Sequence, residues 1–274
     1  MMLIVLKLGG QLLAQDVSLK ELYDDLAKLH KDHQIVVCHG GGPQIDDMLT
    51  KLGIIPVVYE SASGVKSRIT DANTLMVAEM VMAGKINKEI VSQLLKRGIN
   101  AVGISGLDGN TIQAKKKDKL TIFDKERGKK RIIRGDLSGK VEKVDPKLLS
   151  LLLDNGYMPV VAPISASEEM DPLNTDGDRT GVYIASALHA DKLILFTDVE
   201  GVLKEGQLVP KIGEEEMKAI FDLTKGGMKK KIYAAKEALE LGIAEVVISS
   251  GLISNPITAA MEGKVGTSLS YKYL

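Results

Sequence analysis

The sequence has little of what several classes of protein require. Its single cysteine, Cys38, excludes an internal disulfide framework and a cysteine-rich metal site. No apolar run approaches the ~18 residues that a membrane-spanning helix needs, and the N-terminal MMLIVLKLGG has the pattern of a strand rather than of a signal peptide. Lys and Arg number 36, as do Asp and Glu, so the overall charge favours neither nucleic acid nor a membrane as partner. We therefore expect a cytoplasmic protein.

Short apolar runs alternate along the chain with longer helical patterns. The predicted strands lie at 2–8, 34–38, 55–60, 100–105, 158–164, 192–198 and 245–250. The predicted helices lie at 17–31, 43–52, 74–96, 146–154, 176–188 and 228–241, with a short helix after Asn255. This alternation indicates an α/β fold in which helices cover both faces of one parallel sheet.

The alternation is interrupted between residues 110 and 142. Short strands with glycine-containing turns predict an antiparallel excursion in this stretch. Residues 115–140 hold eleven Lys or Arg and four Asp or Glu, a surplus of seven positive charges in a chain that is neutral overall. A solvated hairpin and a surface for an acidic partner both fit this charge. Nucleic acid fits less well, because Phe123 is the only aromatic residue in the stretch.

Two glycine loops follow neighbouring predicted strands: KLGG at 7–10 and HGGGP at 39–43. A strand that ends in glycines and leads into a helix exposes backbone N–H groups beside a helix N-terminus, which favours an anion. Tight turns use glycine too, but two such loops at adjacent strand ends favour an anion site at the edge of the sheet where α/β proteins bind ligands. Neither loop matches a Walker or a dinucleotide motif.

Charged residues accompany these loops. Lys7 interrupts an apolar strand, either as an outward-facing lysine or as a cation directed at a phosphoryl group. GGMKKK at 226–231 offers three lysines about 100° apart on a helix, so only one of them can point into a cleft. Asp176 in NTDGDR is a candidate helix cap and Asp178 a candidate partner for lysines. Arg68 in SRITD suits either a carboxylate ligand or a surface ion pair.

Taken in order, KLGG, HGGGP, SRITD, NTDGD, FTDVEGVL and GGMKKK resemble the amino acid kinase family over nearly the whole chain. The resemblance is greatest to the acetylglutamate kinase group. Within it, SRITDANTL, GISGLDG and RGDLSGKVEKV resemble the LysW-aminoadipate and LysW-glutamate kinases, whose substrate is attached to an amino-group carrier protein. The resemblance implies a three-layer αβα fold, a homodimer, and ATP-dependent conversion of a side-chain carboxylate to an acyl phosphate in lysine and possibly arginine biosynthesis.

The resemblance also implies roles for individual residues. Lys7 and Lys231 stabilise the transferring phosphoryl group, and Asp178 organises the two lysines. Gly9 and Gly10 contact the phosphates of ATP, and Asp198 borders the base and ribose. Gly41, Gly42, Arg68 and Asn174 bind the acceptor substrate. Mg²⁺ accompanies ATP without protein ligands of its own. Because a carboxylate is already ionised at pH 7, no general base is needed, and His39 is expected to be structural or close to the substrate.

The resemblance further divides a single domain, 1–274, into two halves. Residues 1–170, with the basic hairpin at 111–142, form the acceptor and dimer half, and residues 171–274 form the nucleotide half. The hairpin would attract an acidic carrier protein. Arginine-regulated hexamers of the acetylglutamate kinase group carry an extra helix before the first strand. Here the first predicted strand begins near Met2, so the resemblance implies a dimer rather than such a hexamer.

Two alternatives remain open. In the first alternative, the chain is an N-acetylglutamate kinase that acts on the free metabolite. In the second, it is a non-catalytic sensor of amino acids or nucleotides with the same fold. The presence of both Lys7 and Lys231 argues against a sensor. The kinases that act on carbamate or uridylate with the same fold would need different acceptor loops.

Overall fold

The computed structural model describes residues 1–15, 19–60, 66–117, 119–124 and 129–272. The strands are β1 (Leu3–Leu8), β2 (Gln34–His39), β3 (Val58–Glu60), β4 (Lys66–Arg68), β5 (Ala101–Ser105), β6 (Ile112–Lys116), β7 (Leu120–Asp124), β8 (Lys129–Ile133), β9 (Ser138–Val144), β10 (Met158–Ala162), β11 (Ile164–Ala166), β12 (Pro172–Thr175), β13 (Lys192–Thr197), β14 (Leu203–Lys204), β15 (Gln207–Leu208), β16 (Lys211–Ile212), β17 (Val246–Ser250) and β18 (Thr267–Leu269). The helices are α1 (Gly10–Leu13), α2 (Lys20–Leu29), α3 (Gly42–Lys51), α4 (Ala72–Ala78), α5 (Asn87–Leu95), α6 (Lys147–Asp154), α7 (Gly177–Ala187), α8 (Glu214–Leu223), α9 (Gly226–Glu240) and α10 (Pro256–Met261).

An eight-stranded sheet in the order β16-β18-β17-β13-β1-β2-β10-β5 forms the middle layer. Neighbouring strands are parallel throughout except at the β17–β18 pair. Apolar side chains of α2, α3, α4, α5 and α10 pack on one face, and those of α6, α7, α8 and α9 pack on the other. The predicted α/β fold with a mostly parallel sheet and helices on both faces is therefore confirmed.

The alternation of side chains along β1 explains how a lysine comes to lie inside this fold. Ile4, Leu6 and Leu8 point into the core beneath α2 and α3, whereas Val5 points into the core beneath α7 and α9. Because successive side chains of a strand face opposite sides, Lys7 lies on the same side as Val5. The lysine is thus directed towards α7 and α9.

The segment 110–142 leaves the main sheet, as its sequence predicts. Strands β6 and β9 pair antiparallel and close a small barrel with β11 and β12, and β7 pairs antiparallel with β8. Four charged residues that contribute to the predicted basic hairpin lie outside the described residues: Asp118, Lys125, Glu126 and Arg127.

Some predicted elements differ from the observed ones. Of the predicted strand 55–60, Val58–Glu60 is a strand, and within the described part of the chain it pairs antiparallel with β4 in a separate two-stranded sheet. The predicted helix 74–96 comprises α4, a π-helical segment at Glu79–Ile86 and α5. The predicted strand 158–164 is divided, because β10 remains in the main sheet while β11 joins the barrel. Among the described residues, no helix is both long and apolar enough to cross a bilayer.

Candidate functional site

Both glycine loops lie at the carboxyl edge of the main sheet. In the parallel register Leu8 of β1 pairs with His39 of β2 and with Phe196 of β13. The chain that follows each of these strands therefore emerges at the same edge. This brings Gly9 and Gly10, Gly40 to Gly42, and Asp198 to one place, where α/β folds bind ligands.

The glycines allow the two loops to approach each other. A Cβ added to Gly10 would lie 3.0 Å from the backbone nitrogens of both Gly41 and Gly42. A Cβ added to Gly9 would lie 2.9 Å from the carbonyl oxygen of Phe196, which accepts a hydrogen bond from the Gly9 amide at 3.0 Å. Gly41 caps α3 and Gly42 opens it, so their amides belong to the turn that has no partners within the helix. Glycine is thus required both for loop packing and for access to these amides.

A buried cluster of one carboxylate and two lysines lies behind the loops. The Lys7 Nζ is 2.6 Å from Oδ1 of Asp178, and the Lys231 Nζ is 3.0 Å from the same oxygen and 3.1 Å from Oδ2. Each of the three residues is less than 10% exposed, with values of 5% for Lys7, 7% for Asp178 and 8% for Lys231. Because both ammonium groups contact one oxygen, a phosphoryl-sized group can contact both.

Helix α7 builds this cluster. Asp176 caps the helix by accepting hydrogen bonds from the amides of Asp178 and Arg179, which confirms the predicted cap. Gly177 and Gly181 permit the helix to lie on the Lys7 side chain, since added Cβ atoms would be 3.3 Å from Lys7 Cε and 3.5 Å from Lys7 Cβ. Lys7 is therefore held extended towards Asp178.

The pKa values of the three residues in this cluster depend on one another. Burial alone would raise the pKa of Asp178, but the two adjacent lysines hold it well below its usual range. Burial opposes the charged form of Lys7, yet the attraction of Asp178 outweighs it and raises the pKa of that ammonium group. Burial lowers the pKa of Lys231, and the repulsion of Lys7 adds to this effect against the attraction of Asp178. The carboxylate is what keeps two like charges together.

A cleft of about 500 Å³ opens in front of the loops. It is lined by both glycine loops, the β3–β4 hairpin, the barrel strands β9 and β12, and the start of α7. The lining residues include Lys7, Gly10, Gly41, Gly42, Asp46, Tyr59, Arg68, Thr70, Lys117, Ser138, Asn174, Asp176 and Lys230. Six of the lining residues were predicted from the sequence as site residues: Lys7, Gly10, Gly41, Gly42, Arg68 and Asn174.

Arg68 projects into this cleft from β4. Its side chain is 14% exposed, and its Nη1 forms an ion pair with Asp46 of α3, whose side chain is 59% exposed. The buried Nε of Arg68 has no hydrogen-bond partner among the described residues. Burial lowers the pKa of this guanidinium, which nevertheless remains charged at neutral pH. Arg68 can thus bind a further carboxylate, and its ion pair with Asp46 is only partly buried.

Asn174 of β12 also lines the cleft. Its Nδ2 donates to Oγ1 of Thr70 at 3.2 Å, and its backbone amide donates to Leu137 O at 3.0 Å. Thr70 is in turn fixed by buried Asp136, which accepts a hydrogen bond from its amide at 2.8 Å. These bonds orient the Asn174 amide group at the cleft.

His39 lies below the loops and is fully buried. Its Nδ1 is 3.1 Å from the Gly40 carbonyl oxygen, and its Nε2 is 3.4 Å from Nδ2 of Asn87. Burial, together with the charges of Lys7 and Lys88, lowers its pKa to about 4 against the opposing hydrogen bond to Gly40. A neutral ring that donates to Gly40 and accepts from Asn87 satisfies both contacts, as a supporting residue would.

Other predicted residues lie outside the cleft. Lys231 contacts Asp178 at the back of the site, whereas its neighbour Lys230 is the lysine of GGMKKK that lines the cleft. Gly9 contacts Phe196, and Asp198 accepts a hydrogen bond from Thr197 just beyond β13. Both lie on the β13 side of the first loop.

Sequence reasoning missed several cleft residues. Asp46, Tyr59, Lys117 and Lys230 come from four separate segments, and only the folded chain brings them together. The lysine-rich segment that contains Lys117, directly after β6, was noted for its charge alone. The segment around it carries further positive charge, since Lys115, Lys116 and Lys119 are exposed, and Arg134 and Lys140 of the basic hairpin are exposed as well. Among the described residues, no three His, Cys, Asp or Glu side chains are grouped as metal ligands.

The chain is similar to known proteins over nearly its whole length. A model of the amino acid kinase family matches residues 2–250. The LysW-aminoadipate/LysW-glutamate kinase of Saccharolobus solfataricus is 40% identical over 261 residues, which cover 95% of this chain and 97% of that protein. The protein of the same name from Metallosphaera sedula is 36% identical over 269 residues, which cover 98% of this chain and 100% of that protein.

A solved structure shares the fold at lower identity. N-acetylglutamate synthase from Neisseria gonorrhoeae, in complex with coenzyme A and N-acetylglutamate, superimposes with a TM-score of 0.80 at 22% identity. The match covers 100% of this chain and 60% of that chain. At this identity the similarity shows the fold alone.

Proposed function

Because the chain belongs to the amino acid kinase family, we propose that it transfers the γ-phosphoryl group of ATP to the side-chain carboxylate of aminoadipate or glutamate attached to an amino-group carrier protein. The product is an acyl phosphate, an intermediate of lysine and possibly arginine biosynthesis. The names of the Saccharolobus and Metallosphaera relatives support this assignment, since they cover nearly the whole chain.

The observation that carries the proposal is the buried Lys7–Asp178–Lys231 cluster beneath two glycine loops. An acceptor carboxylate and ATP repel each other, so their approach must be neutralised. Lys7 and Lys231 each have three N–H donors, and Asp178 occupies only part of this capacity. The remaining donors can bind the oxygens of a phosphoryl group in transit.

In the proposed reaction an oxygen of the acceptor carboxylate attacks the γ-phosphorus of ATP in line. The bond from phosphorus to the β,γ-bridging oxygen breaks, and ADP leaves with the electron pair. No proton is transferred, because the carboxylate is ionised at pH 7. Phosphoryl transfer of this kind needs positioning and charge stabilisation more than covalent help. Lys7, Lys231 and the loop amides supply both.

The other site residues hold the two substrates. Arg68 binds the free carboxylate of the acceptor through its guanidinium fork, and Asn174 binds a polar group of the same substrate. Gly41 and Gly42 receive the reacting carboxylate at the start of α3. Gly9 and Gly10 bind ATP phosphates, and Asp198 borders the nucleotide. Mg²⁺ enters as part of the MgATP substrate and neutralises phosphate charge when bound.

The carrier protein is proposed to dock on the basic side of the cleft. Exposed lysines of β6 and the loop after it, among them Lys115, Lys116 and Lys119, adjoin Lys117 at the cleft wall. An acidic carrier would be attracted to this surface and its tethered substrate delivered to the cleft. In this arrangement residues 1–170 mainly serve the acceptor and residues 171–274 mainly serve the nucleotide, with Gly9 and Gly10 on the nucleotide side and Asn174 on the acceptor side as exceptions.

We also propose a cytoplasmic homodimer. Met76 of α4, Met80 of the π-helical segment and Leu95 of α5 are 41%, 56% and 53% exposed. Apolar side chains that are this exposed along one helical stretch are suited to contact with a second copy of the chain. Sedimentation of the purified protein tests this proposal, and a monomer at micromolar concentration would contradict it.

The runner-up function is phosphorylation of free N-acetylglutamate. A coupled assay of ADP release with carrier-bound aminoadipate, carrier-bound glutamate and free N-acetylglutamate separates the two. We expect kcat/KM to be ~10²-fold higher for a carrier-bound acceptor, because the free metabolite leaves the carrier contacts unmade. Equal or faster turnover of N-acetylglutamate would replace the proposal with the runner-up. The two carrier-bound acceptors differ by one methylene, which discriminates by only ~1–3 kcal/mol, so both are included.

A further inference from the structure

Four side chains connect the helix that carries Asp178 to the helix that carries Lys231. Arg179 of α7 donates through Nε to Oε2 of Glu237 on α9 at 2.6 Å, and its Nη2 donates to Oε1 of the same carboxylate. The Tyr183 hydroxyl donates to Oε1 of Glu237 at 3.1 Å. The Arg179 guanidinium carbon lies 5.9 Å from the ring centroids of Tyr183 and Tyr233. We call these four residues the α7–α9 clamp.

The clamp lies directly behind the buried cluster. Arg179 follows Asp178 in the sequence, and the amides of both residues donate to Oδ1 of Asp176. Glu237 follows Lys231 by six residues on the same helix, which corresponds to about 9 Å along the axis. The fork between Arg179 and Glu237 therefore links the residue next to Asp178 to the body of the helix that carries Lys231.

The opposite end of α9 offers less support. The helix begins at Gly226, whose φ of 58° is in the left-handed region that favours glycine. A Cβ added to Gly226 or Gly227 would meet no atom within 4 Å, so these two positions are not packed against neighbouring residues. From Ile232 onwards the helix is packed in the core, and the clamp adds a polar link from α7 to this packed part of α9.

We propose that Arg179 and Glu237 are positioning residues for phosphoryl transfer, which keep the Lys231 ammonium group in register with Asp178 and Lys7. Neither residue touches the reacting atoms. Their bidentate pair is short and only partly exposed, at 18% for Arg179 and 15% for Glu237, and such a fork fixes geometry as well as charge. The inference rests on the proposed function, because Lys231 must be the lysine that stabilises the transferring group.

The test is the kinetic effect of Arg179→Lys and Glu237→Gln with the carrier-bound acceptor. Lysine retains the positive charge but cannot form the fork, and glutamine retains the shape but loses the charge. A displacement of about 1 Å at a reacting centre can lower the rate ~10²-fold. We expect kcat to fall ~10- to 100-fold, while the KM values for ATP and acceptor stay within about twofold.

The chain provides a matched control among the helices on the other face of the sheet. Arg97 follows α5, its Nε donates to Oδ1 of Asp24 at 2.6 Å, and its guanidinium carbon lies 5.3 Å from the Tyr23 ring centroid. Its side chain is 17% exposed, close to the value for Arg179. Arg97→Lys should lower Tm about as much as Arg179→Lys does, yet leave kcat unchanged.

A fall in kcat that is confined to the clamp variants, at unchanged KM, supports the inference. Wild-type kcat in Arg179→Lys, or equal losses of kcat in Arg179→Lys and Arg97→Lys, overturns it. If Arg179→Lys does not fold, Tyr183→Phe removes one hydrogen bond to Glu237 and should give the same pattern in a milder form. Wild-type kcat in that variant would also overturn the inference. Absence of phosphorylation by the wild-type enzyme in the same assay would instead refute the proposed function.

Discussion

The ammonium groups of Lys7 and Lys231 contact the same oxygen of Asp178, at 2.6 and 3.0 Å. The two Nζ atoms are therefore no farther apart than the sum of these distances. In the sequence, by contrast, the two lysines lie near opposite ends. Two buried cations this close are stable only with a counter-charge. Asp178 provides that charge in the free protein, and a phosphoryl group would add to it during the reaction.

Removal of the shared carboxylate should destabilise the protein. Asp178→Asn leaves two buried ammonium groups without their counter-charge, and breaking a buried ion pair in this way costs about 3–5 kcal/mol. Denaturant unfolding at pH 7 measures the difference. Asp47→Asn is the control, because Asp47 pairs with Lys51 on the surface, where the two side chains are 59% and 65% exposed. This control should cost no more than about 1 kcal/mol.

The stability difference between wild type and Asp178→Asn should depend on pH. The pKa of Asp178 is held below its usual range in the folded state, so its stabilisation is fully present above about pH 4, the ordinary value for an unfolded aspartate. It is lost as the pH falls through the lower, folded value. The stability curves of wild type and Asp178→Asn should therefore converge below about pH 4. A gap that stayed constant down to pH 2 would contradict the assigned charge.

His39 should titrate far below neutrality. Its pKa is lowered to about 4 in the folded state, whereas an unfolded histidine titrates near 6.5. The unfolded state therefore binds more protons between these values, and stability decreases from about pH 6.5 to pH 4, by on the order of 3 kcal/mol. NMR titration of the imidazole measures this directly. A His39 pKa between 6 and 7 would reopen its role as a proton-transfer group.

Arg68 should govern acceptor binding rather than the rate of the chemical step. Arg68→Lys retains charge but loses the fork, and we expect KM for the acceptor to rise ~10- to 100-fold with KM for ATP unchanged. Asp46→Asn provides the contrast, because it releases Nη1 of Arg68 from its ion pair and should leave acceptor KM unchanged or lower it. Steady-state kinetics with both substrates varied measures the two KM values. A rise in KM for ATP alone would contradict this role of Arg68.

Charge reversal on the basic hairpin should affect only carrier-bound substrate. Replacing Lys116, Lys129 and Lys130 with Glu removes three positive charges from the basic segment 111–142 and adds three negative ones. KM for the carrier-bound acceptor should rise, most strongly at low salt. Turnover of a small free acceptor analogue serves as control and should barely change. Equal effects on both substrates would eliminate electrostatic steering.

Local patterns in the sequence were enough to predict six of the eight strands of the main sheet, all but β16 and β18, and the glycine loops. Buried parallel strands are continuous apolar runs, and strands that share a parallel register end at one edge. Lys7 stood out because it interrupts such a run. Each of these signals lies within about ten residues of sequence, so no knowledge of long-range contacts was needed.

The parts that could not be predicted depend on long-range contacts. Strand β12 pairs with β9 and β11, and its residues Pro172–Thr175 have no pattern typical of a strand. The π-helical segment places Met82 and Ile86 against Gly41, where an added Cβ would be 2.9 Å from Met82 Cγ and 2.7 Å from Ile86 Cδ1. Helical periodicity alone does not reveal that contact. Nor does it reveal that Lys230 lines the cleft while Lys231 lies behind it.

The central claim is that Lys7 and Lys231 stabilise the transferring phosphoryl group, and kcat with carrier-bound acceptor tests it most directly. Lys7→Ala and Lys231→Ala should each lower kcat by ~10²–10³ while the fold is retained. Lys236→Ala is the control on the same helix, since Lys236 is 57% exposed and pairs only loosely with Glu240 at 3.6 Å; its kcat should match wild type. Near-wild-type turnover by either Lys7→Ala or Lys231→Ala would contradict the account.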